Sequence, residues 1–405
     1  MPSTPCIDDR PDHPSDARRR RLLGLLAGGL AAPWATPATA TGMAAAADAA
    51  DAWGPADEGI AHLALGWRLP AGQAAELDRV GVLAVDWAAG EIRVLADHPA
   101  PGRVHGLHGL PDGGFVAVAN RPGRWLMRCD AEGRLVQHQV LAGPAEPCTL
   151  GGHALPSADG AWLYTGETDP ATGEGWIGVR DAATLRRVAA FASQGLDPHQ
   201  MLRDDAGHLW VANGGIPRRA DGRKTDLARM APALVHLHGR SGDRLAEHRL
   251  PDPRLSIRHL AWSADGRSIG IALQAEHDDE RRRQAAPLLA VLDGLDQPGG
   301  ARLRLPSEDM RGAGYAGDIA AGPGGGFVLS GQKAGLGLWW HPGAAEALTT
   351  IARLGQPCAL ASWDGGRGVL IAAERGLARW HVQAPARMLR WPTALLPDNH
   401  LLRLA

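Results

Sequence analysis

One arrangement of apolar and polar positions recurs along the chain. A histidine leads into a short apolar run, an Asp-Gly or similar turn follows, and a second apolar run ends on a polar residue. The clear copies run from His105 to Asn120, His153 to Glu167, His199 to Asn213 and His259 to Gln274. Two apolar runs joined by such a turn are typical of a β-hairpin. The repetition therefore predicts a fold built from similar hairpin units.

The spacing of the copies predicts the architecture. Weaker copies begin at Asp318 and Cys358, and residues 60–97 add a further pair of hairpin runs. Units that repeat every roughly 40 to 50 residues with four strands each are typical of propeller blades. Seven units predict an all-β, seven-bladed β-propeller over residues 59–405. Six or eight blades are alternatives because the longer repeats leave room for insertions, and a two-sheet sandwich leaves the regular spacing unexplained.

The repeat predicts where its polar residues gather. An antiparallel hairpin brings its two ends to the same edge, so the four histidines should ring one opening of the channel, here called the histidine mouth. The terminal polar residues should stand just outside this ring, and Arg258 beside His259 is a candidate fixed cation. The candidate ligand-binding residues are His105, His153, His199, His259, Arg258, Glu167, Asn213 and Gln274.

A ring of imidazoles near carboxylate and amide groups suits a transition metal such as Fe, Cu or Zn. The sequence thus offers His105, His153, His199 and His259 as metal ligands, with iron or another transition metal as the cofactor. Two alternatives stay open. Each histidine can form hydrogen bonds within its own blade, or the ring can supply acid–base groups to a substrate site.

Composition narrows the function classes. The 405-residue chain has a formal net charge of −2, which argues against nucleic acid as a partner. The elbow of Ser hydrolases, the HExxH zinc helix and the Walker loop are absent from the sequence, so whether the protein is an enzyme stays open. A basic insertion after Asn213 contains Arg218 and Arg229 and is either an anion clamp or a solvated loop.

The amino-terminal residues resemble an export signal. Four arginines at 18–21 precede a short, weakly apolar stretch, and Ala38-Thr39-Ala40 offers a cleavage site. This pattern predicts a twin-arginine-type signal peptide over 1–40, a flexible tether over 41–58 and a periplasmic protein without a stable membrane span after cleavage. Cys148 and Cys358 could form a bridge in such a compartment, the alternative being buried thiols.

A specific order of short motifs resembles one known family. The motifs are Arg121-Pro122-Gly123, Gly152-His153, Asp197-Pro198-His199, Asn213-Gly214-Gly215-Ile216, Met230-Ala231-Pro232, Ser256-Ile257-Arg258-His259-Leu260-Ala261, Gln274, Ala286-Pro287-Leu288-Leu289-Ala290 and Tyr315-Ala316-Gly317. Together they resemble the exported bacterial family called domain of unknown function 1513. The resemblance implies a propeller of the YVTN/WD40-like, quinoprotein amine dehydrogenase β-chain-like class. It also implies a periplasmic, iron-linked role beside imelysin-type iron-uptake proteins as partners.

The chain departs from the family pattern outside the histidine ring. Asn120 stands where the family has a second arginine, Glu167 lies in a Thr-Gly-Glu-Thr-Asp context, and Pro217-Arg218-Arg219 replaces a Thr-His-Pro motif. These differences put ligands outside the ring in doubt.

Three functional hypotheses follow. The first is a periplasmic protein that binds a metal, a ligand or a partner at the histidine mouth and is linked to iron uptake. The second is a periplasmic hydrolase or lyase acting at the same mouth. The third is an interaction scaffold in which the histidines are structural.

Overall fold

The computed structural model describes residues 59–72, 74, 77–297, 300–306, 311–344 and 347–404. Their strands form seven four-stranded antiparallel sheets, so the predicted seven-bladed β-propeller is confirmed. The predicted signal peptide and tether lie outside the described residues. No helix in the described part of the chain combines the length and apolar character needed to cross a membrane.

The strands are numbered in chain order. Blade 1 contains β1 (Ile60–Arg68), β2 (Asp78–Asp86) and β3 (Glu91–Pro99). Blade 2 contains β4 (Val104–Gly109), β5 (Phe115–Ala119), β6 (Trp125–Cys129) and β7 (Leu135–Val140). Blade 3 contains β8 (Thr149–Pro156), β9 (Trp162–Thr168), β10 (Glu174–Asp181) and β11 (Arg187–Leu196). Blade 4 contains β12 (Pro198–Arg203), β13 (Leu209–Asn213), β14 (Ala233–Leu237) and β15 (Arg244–His248).

The second half of the ring continues this plan. Blade 5 contains β16 (Leu255–Trp262), β17 (Ile269–Ala275), β18 (Leu289–Asp293) and β19 (Arg302–Arg304). Blade 6 contains β20 (Ile319–Gly322), β21 (Gly326–Gly331), β22 (Leu336–Trp340) and β23 (Thr349–Arg353). Blade 7 contains β24 (Leu360–Trp363), β25 (Gly368–Ala373), β26 (Gly376–His381) and β27 (Ala384–Arg390), and β28 (Leu396–Arg403) follows. One short α-helix spans Glu280–Gln284, and 3₁₀ turns span Leu227–Arg229, Pro323–Gly325, Gln332–Ala334, Pro342–Ala344 and Asp364–Gly366.

The core lies between neighbouring blades. Every residue of the second strands β5, β13, β17 and β25 is buried, whereas the outer strand β7 is mostly exposed. A strand that is buried on both faces has a continuous run of apolar and small residues in its sequence. Packing is tight: a Cβ at Gly270 of blade 5 would lie 2.5 Å from the ring of Phe327 in blade 6. The blades therefore fit together as one continuous ring of interfaces.

The carboxy-terminal strand closes the ring. β28 pairs antiparallel with β1, which gives blade 1 the strand order β28-β1-β2-β3. Leu401 of β28 shares a core cluster with Leu63 of blade 1 and with Trp363 of blade 7. The sequence pattern predicts the hairpins of residues 60–97 but not this closing strand. Pairing of these two distant segments closes the ring of blades, and each blade keeps its outer strand as an edge.

The three cysteines in the described part of the chain are buried, and none of them forms a disulfide with another of the three. Cys148 precedes β8 of blade 3, whereas Cys358 precedes β24 of blade 7, and the Sγ of Cys358 lies 3.7 Å from the carbonyl of Pro397. The possible Cys148–Cys358 bridge is therefore not formed. Burial raises the pKa of Cys129 to about 12 and that of Cys148 to about 11, with nearby carboxylates adding to it.

Closure by β28 should dominate stability. The substitution Leu401→Ala, at a 7% exposed position, should lower the free energy of unfolding by about 2–4 kcal/mol. It leaves a cavity in the core cluster that Leu401 shares with Leu63 and Trp363. The control Val136→Ala, at a 56% exposed position in β7, should change it by less than about 0.5 kcal/mol. Urea unfolding followed by circular dichroism measures both. Equal losses in the two variants would contradict closure through β28.

Candidate metal centre in the channel

Five histidines from the innermost strands of five blades meet on the channel axis. The four predicted histidines lie on β4, β8, β12 and β16, and a fifth, His400, lies on β28. All five are only 1–7% exposed. The centroids of neighbouring imidazole rings are 4.6–5.7 Å apart. The channel is therefore narrow enough at this level for the rings to touch.

A register shift in each histidine strand explains this convergence. Pairing between the first and second strands slips between Val104 and Leu107, between Leu150 and Ala154, between Pro198 and Met201, and between Ile257 and His259. In blade 1 the pairing of β28 slips between Pro397 and Leu401. Every slip includes or spans the histidine of its strand. A β-bulge re-aims a side chain, and here it turns the imidazole into the channel.

The structure adds His400, which the sequence pattern misses. The segment Asp398-Asn399-His400 is similar to Asp197-Pro198-His199, and it follows the Cys358 copy by about one blade. These signals are recognisable only after the last strand is assigned to blade 1. A sixth histidine, His108 on β4, lies 5.6 Å from His153 between ring centroids, and burial, aided by His400, lowers its pKa to about 3.

Four of the histidines form a set with metal-ligand spacing. His105, His153, His259 and His400 each offer one ring nitrogen, and these nitrogens lie within 4.8 Å of one another. Around a tetrahedral zinc-like ion with metal–nitrogen bonds of about 2.0–2.1 Å, the ligand atoms lie about 3.3–3.4 Å from one another. A pair of nitrogens at the upper limit of 4.8 Å would have to approach by about 1.4 Å to share such an ion.

His199 occupies a different place beside this set. Its Nε2 lies 2.9 Å from Nε2 of His259 and 3.3 Å from Nε2 of His105. Its Nδ1 lies 3.1 Å both from the Gly151 carbonyl and from a guanidinium nitrogen of Arg121. If Nδ1–H donates to Gly151, Nε2 presents a lone pair to the centre; if Nδ1 accepts from Arg121, Nε2–H donates to a neighbouring imidazole. The set within 4.8 Å thus contains His400 in addition to three of the four predicted histidines, and His199 lies directly beside it.

The electrostatics of the centre favour neutral imidazoles. Burial, with added repulsion from the neighbouring histidines, holds the pKa values of His105, His153 and His259 well below the usual range. Neutral imidazole is the form that ligates metals.

Several of these ring nitrogens have no hydrogen-bond partner among the residues that the structure describes. They are both nitrogens of His153, Nδ1 of His105 and of His259, and Nε2 of His400. A buried polar atom without a partner costs about 1–3 kcal/mol. Bonds to a shared ion would remove this cost, so the donor set fits a transition metal.

The remaining two blades place other groups in the ring. Asp318 of blade 6 stands where the other blades have histidine, and its Oδ1 is 3.3 Å from Nδ1 of His400. Its Oδ2 accepts a 2.8 Å hydrogen bond from the backbone of Leu360, which fixes the carboxylate. A carboxylate behind a ligating histidine orients the ring and keeps the other nitrogen free for the metal. In blade 7 the corresponding residue is Cys358.

A glycine makes room for the close approach. Gly152, directly before His153, has a φ of +108°, and a Cβ there would lie 2.5 Å from Cδ2 of His105. Any larger residue would be strained and would displace that ring.

The other predicted ligand residues are held elsewhere. Glu167 binds the buried Arg180 at 2.7 Å, Asn213 donates to the Ser193 carbonyl at 2.9 Å, and Gln274 donates to Glu276 at 2.7 Å. Among the described residues, none of these three hydrogen bonds joins a histidine. In blade 3 the bulge leaves Glu167 opposite Leu150, three residues before His153, whereas in blade 4 Asn213 pairs with Pro198 directly before His199. Arg258 pairs with Asp197 at 3.0 Å, next to the centre.

Comparison with known proteins identifies relatives in sequence and in fold. The family described as “Protein of unknown function (DUF1513)” matches residues 98–404. No curated protein shows significant similarity to the chain. The periplasmic gluconolactonase of Pseudomonas aeruginosa is similar in structure, with 20% identity, a TM-score of 0.59, and coverage of 86% of this chain and 99% of that one.

Two further solved structures share the fold. A protein from Lactobacillus plantarum is 11% identical with a TM-score of 0.55, covering 86% of this chain and 100% of that one. Kuenenia stuttgartiensis hydrazine synthase is 12% identical with a TM-score of 0.52, covering 78% of this chain and 92% of that one. At such identities these structures show the propeller fold alone.

The neutral histidines predict an acid-sensitive protein. The pKa values of His105, His153 and His259 are lowered in the folded protein. Below about pH 6.5 these histidines therefore bind protons in the unfolded chain but stay neutral in the folded protein. As the pH is lowered, the free energy of unfolding of the metal-free protein should decrease by up to about 1.4 kcal/mol per pH unit per histidine.

Urea unfolding between pH 7.5 and 5.5 in the presence of a chelator measures this slope. The variant His153→Asn should show a slope smaller by about one proton. A stability that is constant or rises toward pH 5.5 would contradict a neutral buried cluster.

Proposed function

We propose that this chain, which belongs to the family described as “Protein of unknown function (DUF1513)”, binds a divalent transition-metal ion on its channel axis. The proposed ligands are His105, His153, His259 and His400. The observation that carries the proposal is the convergence of four buried ring nitrogens, from four different blades, within 4.8 Å of one another.

The four imidazole donors narrow the choice of metal ion. Imidazole nitrogen suits Zn²⁺, Cu²⁺, Ni²⁺ and Fe²⁺, whereas Mg²⁺ and Ca²⁺ require oxygen ligands. Asp318 supplies a carboxylate behind His400, so one negative charge lies close to the ion without binding it directly. We take iron as the biological candidate, because the family resemblance implies an iron-linked setting, and Zn²⁺ as a redox-inert probe of the same site.

Metal binding would also act on the fold. The four proposed ligands belong to blades 1, 2, 3 and 5, and His400 lies on the closing strand β28. An ion held by all four would tie that strand to the rest of the ring. A metal ion that binds only the folded state raises the free energy of unfolding. The increase grows with the logarithm of the ratio between the free metal concentration and the dissociation constant.

The proposed setting is the periplasm. The twin-arginine-type signal predicted over residues 1–40 and the family resemblance support this location, and the same resemblance supports an imelysin-type iron-uptake protein as partner. Proteins exported by the twin-arginine route fold before transport, which suits a fold that encloses its metal.

The metal proposal predicts one Zn²⁺ per chain. His153→Ala and His400→Ala should each weaken Zn²⁺ binding by more than roughly 10- to 100-fold, because each removes a direct ligand. That range is typical for mutation of a residue that only hydrogen-bonds to a ligand. The control His138→Ala, on the exposed outer strand β7, should bind as tightly as the parent. Calorimetric titration and elemental analysis of the purified protein measure affinity and stoichiometry. Failure of the parent to bind any of Zn²⁺, Fe²⁺, Cu²⁺ and Ni²⁺ would sink the proposal.

A second candidate function is hydrolysis at the same mouth. A surface depression lined by Arg121, Thr149, Gly151 and Arg218 borders the centre, and both Arg121 and Gly151 contact His199. A metal held by imidazoles lowers the pKa of a coordinated water to about 7 and so supplies a nucleophile. The structural likeness to a protein named periplasmic gluconolactonase suggests sugar lactones as the first substrates to test.

If the protein is a lactonase, the metal-loaded parent should hydrolyse glucono-δ-lactone well above the spontaneous rate. His153→Ala should abolish this excess, and the exposed-site control His138→Ala should retain it. A pH-stat assay that follows acid release measures the rate. Hydrolysis by the parent at the spontaneous rate, with metal shown to be bound, would rule out this activity for that substrate.

A further inference from the structure

We propose that a cavity between blades 3 and 4, on the face opposite the histidine mouth, binds a neutral saccharide. Blade 3 lines the cavity with three aromatic side chains, and blade 4 lines it with two imidazoles and a guanidinium group. These residues are Trp162, Tyr164, Phe191, His208, His238 and Arg240. The proposal rests on this cavity alone and is independent of the metal proposed above.

The topology places the cavity away from the histidine mouth. Residues 157–161 join the first two strands of blade 3, and residues 204–208 join those of blade 4. An antiparallel hairpin has its turn at the opposite edge from its two free ends, and those free ends form the histidine mouth. Both turns contribute residues to the lining, as does the turn at residues 238–243 between β14 and β15. The cavity therefore lies on the turn face of the propeller.

The cavity has the size of a small-molecule site. Its volume is about 590 Å³, within the roughly 300–1,000 Å³ typical of ligand pockets. Two contacts hold its walls together. The hydroxyl of Tyr164 donates a 3.0 Å hydrogen bond to the Gly239 carbonyl, and a Cβ at Gly242 would lie 2.5 Å from the ring of Phe191. The turn of blade 4 thus packs directly against the aromatic wall of blade 3.

The aromatic wall suits the apolar face of a sugar ring. The ring centroids of Tyr164 and Phe191 are 6.5 Å apart, and their planes are tilted by 59°. Trp162 is 40% exposed, so a large apolar surface faces solvent at this cavity. A saccharide ring has a patch of C–H groups on one face, and packing of this patch on an indole removes both surfaces from water. A bound sugar would therefore cover Trp162.

The wall of blade 4 supplies hydrogen-bond donors. Nδ1 of His208 accepts from the Gly239 backbone at 3.4 Å, and Nδ1 of His238 accepts from the Ser241 backbone at 3.2 Å. When Nδ1 of a neutral imidazole accepts, Nε2 carries the proton and donates. The centroids of the two rings are 4.8 Å apart. Neighbouring hydroxyls of one sugar ring could accept from both imidazoles.

A carboxylate supplies an acceptor. Oδ1 of Asp159 accepts from the Ala161 backbone at 3.1 Å, which holds the side chain in place. Hydrogen bonds from Ser157 and Ala161 lower the pKa of Asp159, and the positive charge of Arg240 adds to this effect. Among the lining residues, one carboxylate and one guanidinium group thus balance each other, which favours neither an anion nor a cation. Hydroxyl groups both donate and accept, so a neutral saccharide can bind both kinds of group.

A second cavity continues the same chemistry across one turn. It lies between blades 4 and 5, has a volume of about 510 Å³ and shares Ala206 with the first cavity. The rings of Trp210 and His236 stack in its wall with centroids 4.1 Å apart, and Nε2 of His236 lies 2.9 Å from Asp204. Trp262 also lines this cavity. Two adjoining cavities of similar lining favour an oligosaccharide of several units over a single sugar.

Calorimetric titration of the full-length protein in the presence of a chelator tests the site, with chitohexaose, maltohexaose and maltose as separate probes. At least one hexasaccharide should bind, and Trp162→Ala should weaken its binding about tenfold or more because the stacking face is lost. Trp162→Phe keeps an aromatic face and should bind within about threefold of the parent. The control Met388→Ala, at a 42% exposed position in β27 of blade 7, should leave the affinity unchanged.

Absence of binding by both hexasaccharides up to about 10 mM, or equal affinity in the parent and in Trp162→Ala, would overturn the saccharide site. Should Trp162→Ala fail to fold, Asp159→Asn preserves the shape of the side chain and should weaken binding about threefold or more, because a charged acceptor is lost. Maltohexaose should bind more tightly than maltose, and equal affinities would contradict a ligand that spans both cavities.

Repeating the titration with Zn²⁺ separates this site from the metal proposal. Equal saccharide affinity with chelator and with Zn²⁺ supports a site that is independent of the metal centre. Saccharide binding that requires Zn²⁺ would contradict the position of the site in this cavity. Failure of the parent to bind Zn²⁺ would count against the metal proposal and leave the saccharide result standing.

Discussion

The organisation of the channel depends on the β-bulges in the innermost strands. In an unbroken antiparallel ladder, alternate side chains point to the two faces of the sheet and pack against the neighbouring blades. At each of the five histidines the pairing with the second strand slips, and the slip turns one side chain toward the axis. In blades 3 and 5 the same shift in register leaves the terminal polar residue of the hairpin, Glu167 or Gln274, three residues away from its histidine along the ladder.

Closure of the ring and assembly of the cluster are one event. His400 is positioned by the pairing of β28 with β1, so the fifth imidazole comes from the last strand of the chain. Asp318 then contacts this histidine from blade 6. Because the histidines come from blades 1 to 5 and one of them lies on the last strand of the chain, assembly of the cluster depends on the integrity of the ring.

The repeat in the sequence was sufficient for the blade number and for four of the five converging histidines, because hairpin periodicity and the position of each histidine are local properties. The fifth histidine and the closing strand depend on pairing between residues more than 300 positions apart, which no local pattern encodes. The position of Glu167 differs from the expected one for a related reason. A ladder without a bulge would place it opposite Gly152, next to His153, whereas in the structure it lies opposite Leu150 and binds the buried Arg180. Arg258 was predicted as a cation at the mouth, and its carboxylate partner Asp197 became apparent only in three dimensions.

X-ray absorption spectroscopy of the Zn²⁺-loaded protein tests most directly whether buried imidazoles from separate blades share one ion. If they do, the spectrum should show a first shell of about four nitrogen atoms at roughly 2.0–2.1 Å, with the outer-shell scattering of imidazole rings. A first shell dominated by oxygen, without imidazole scattering, would contradict a shared ion.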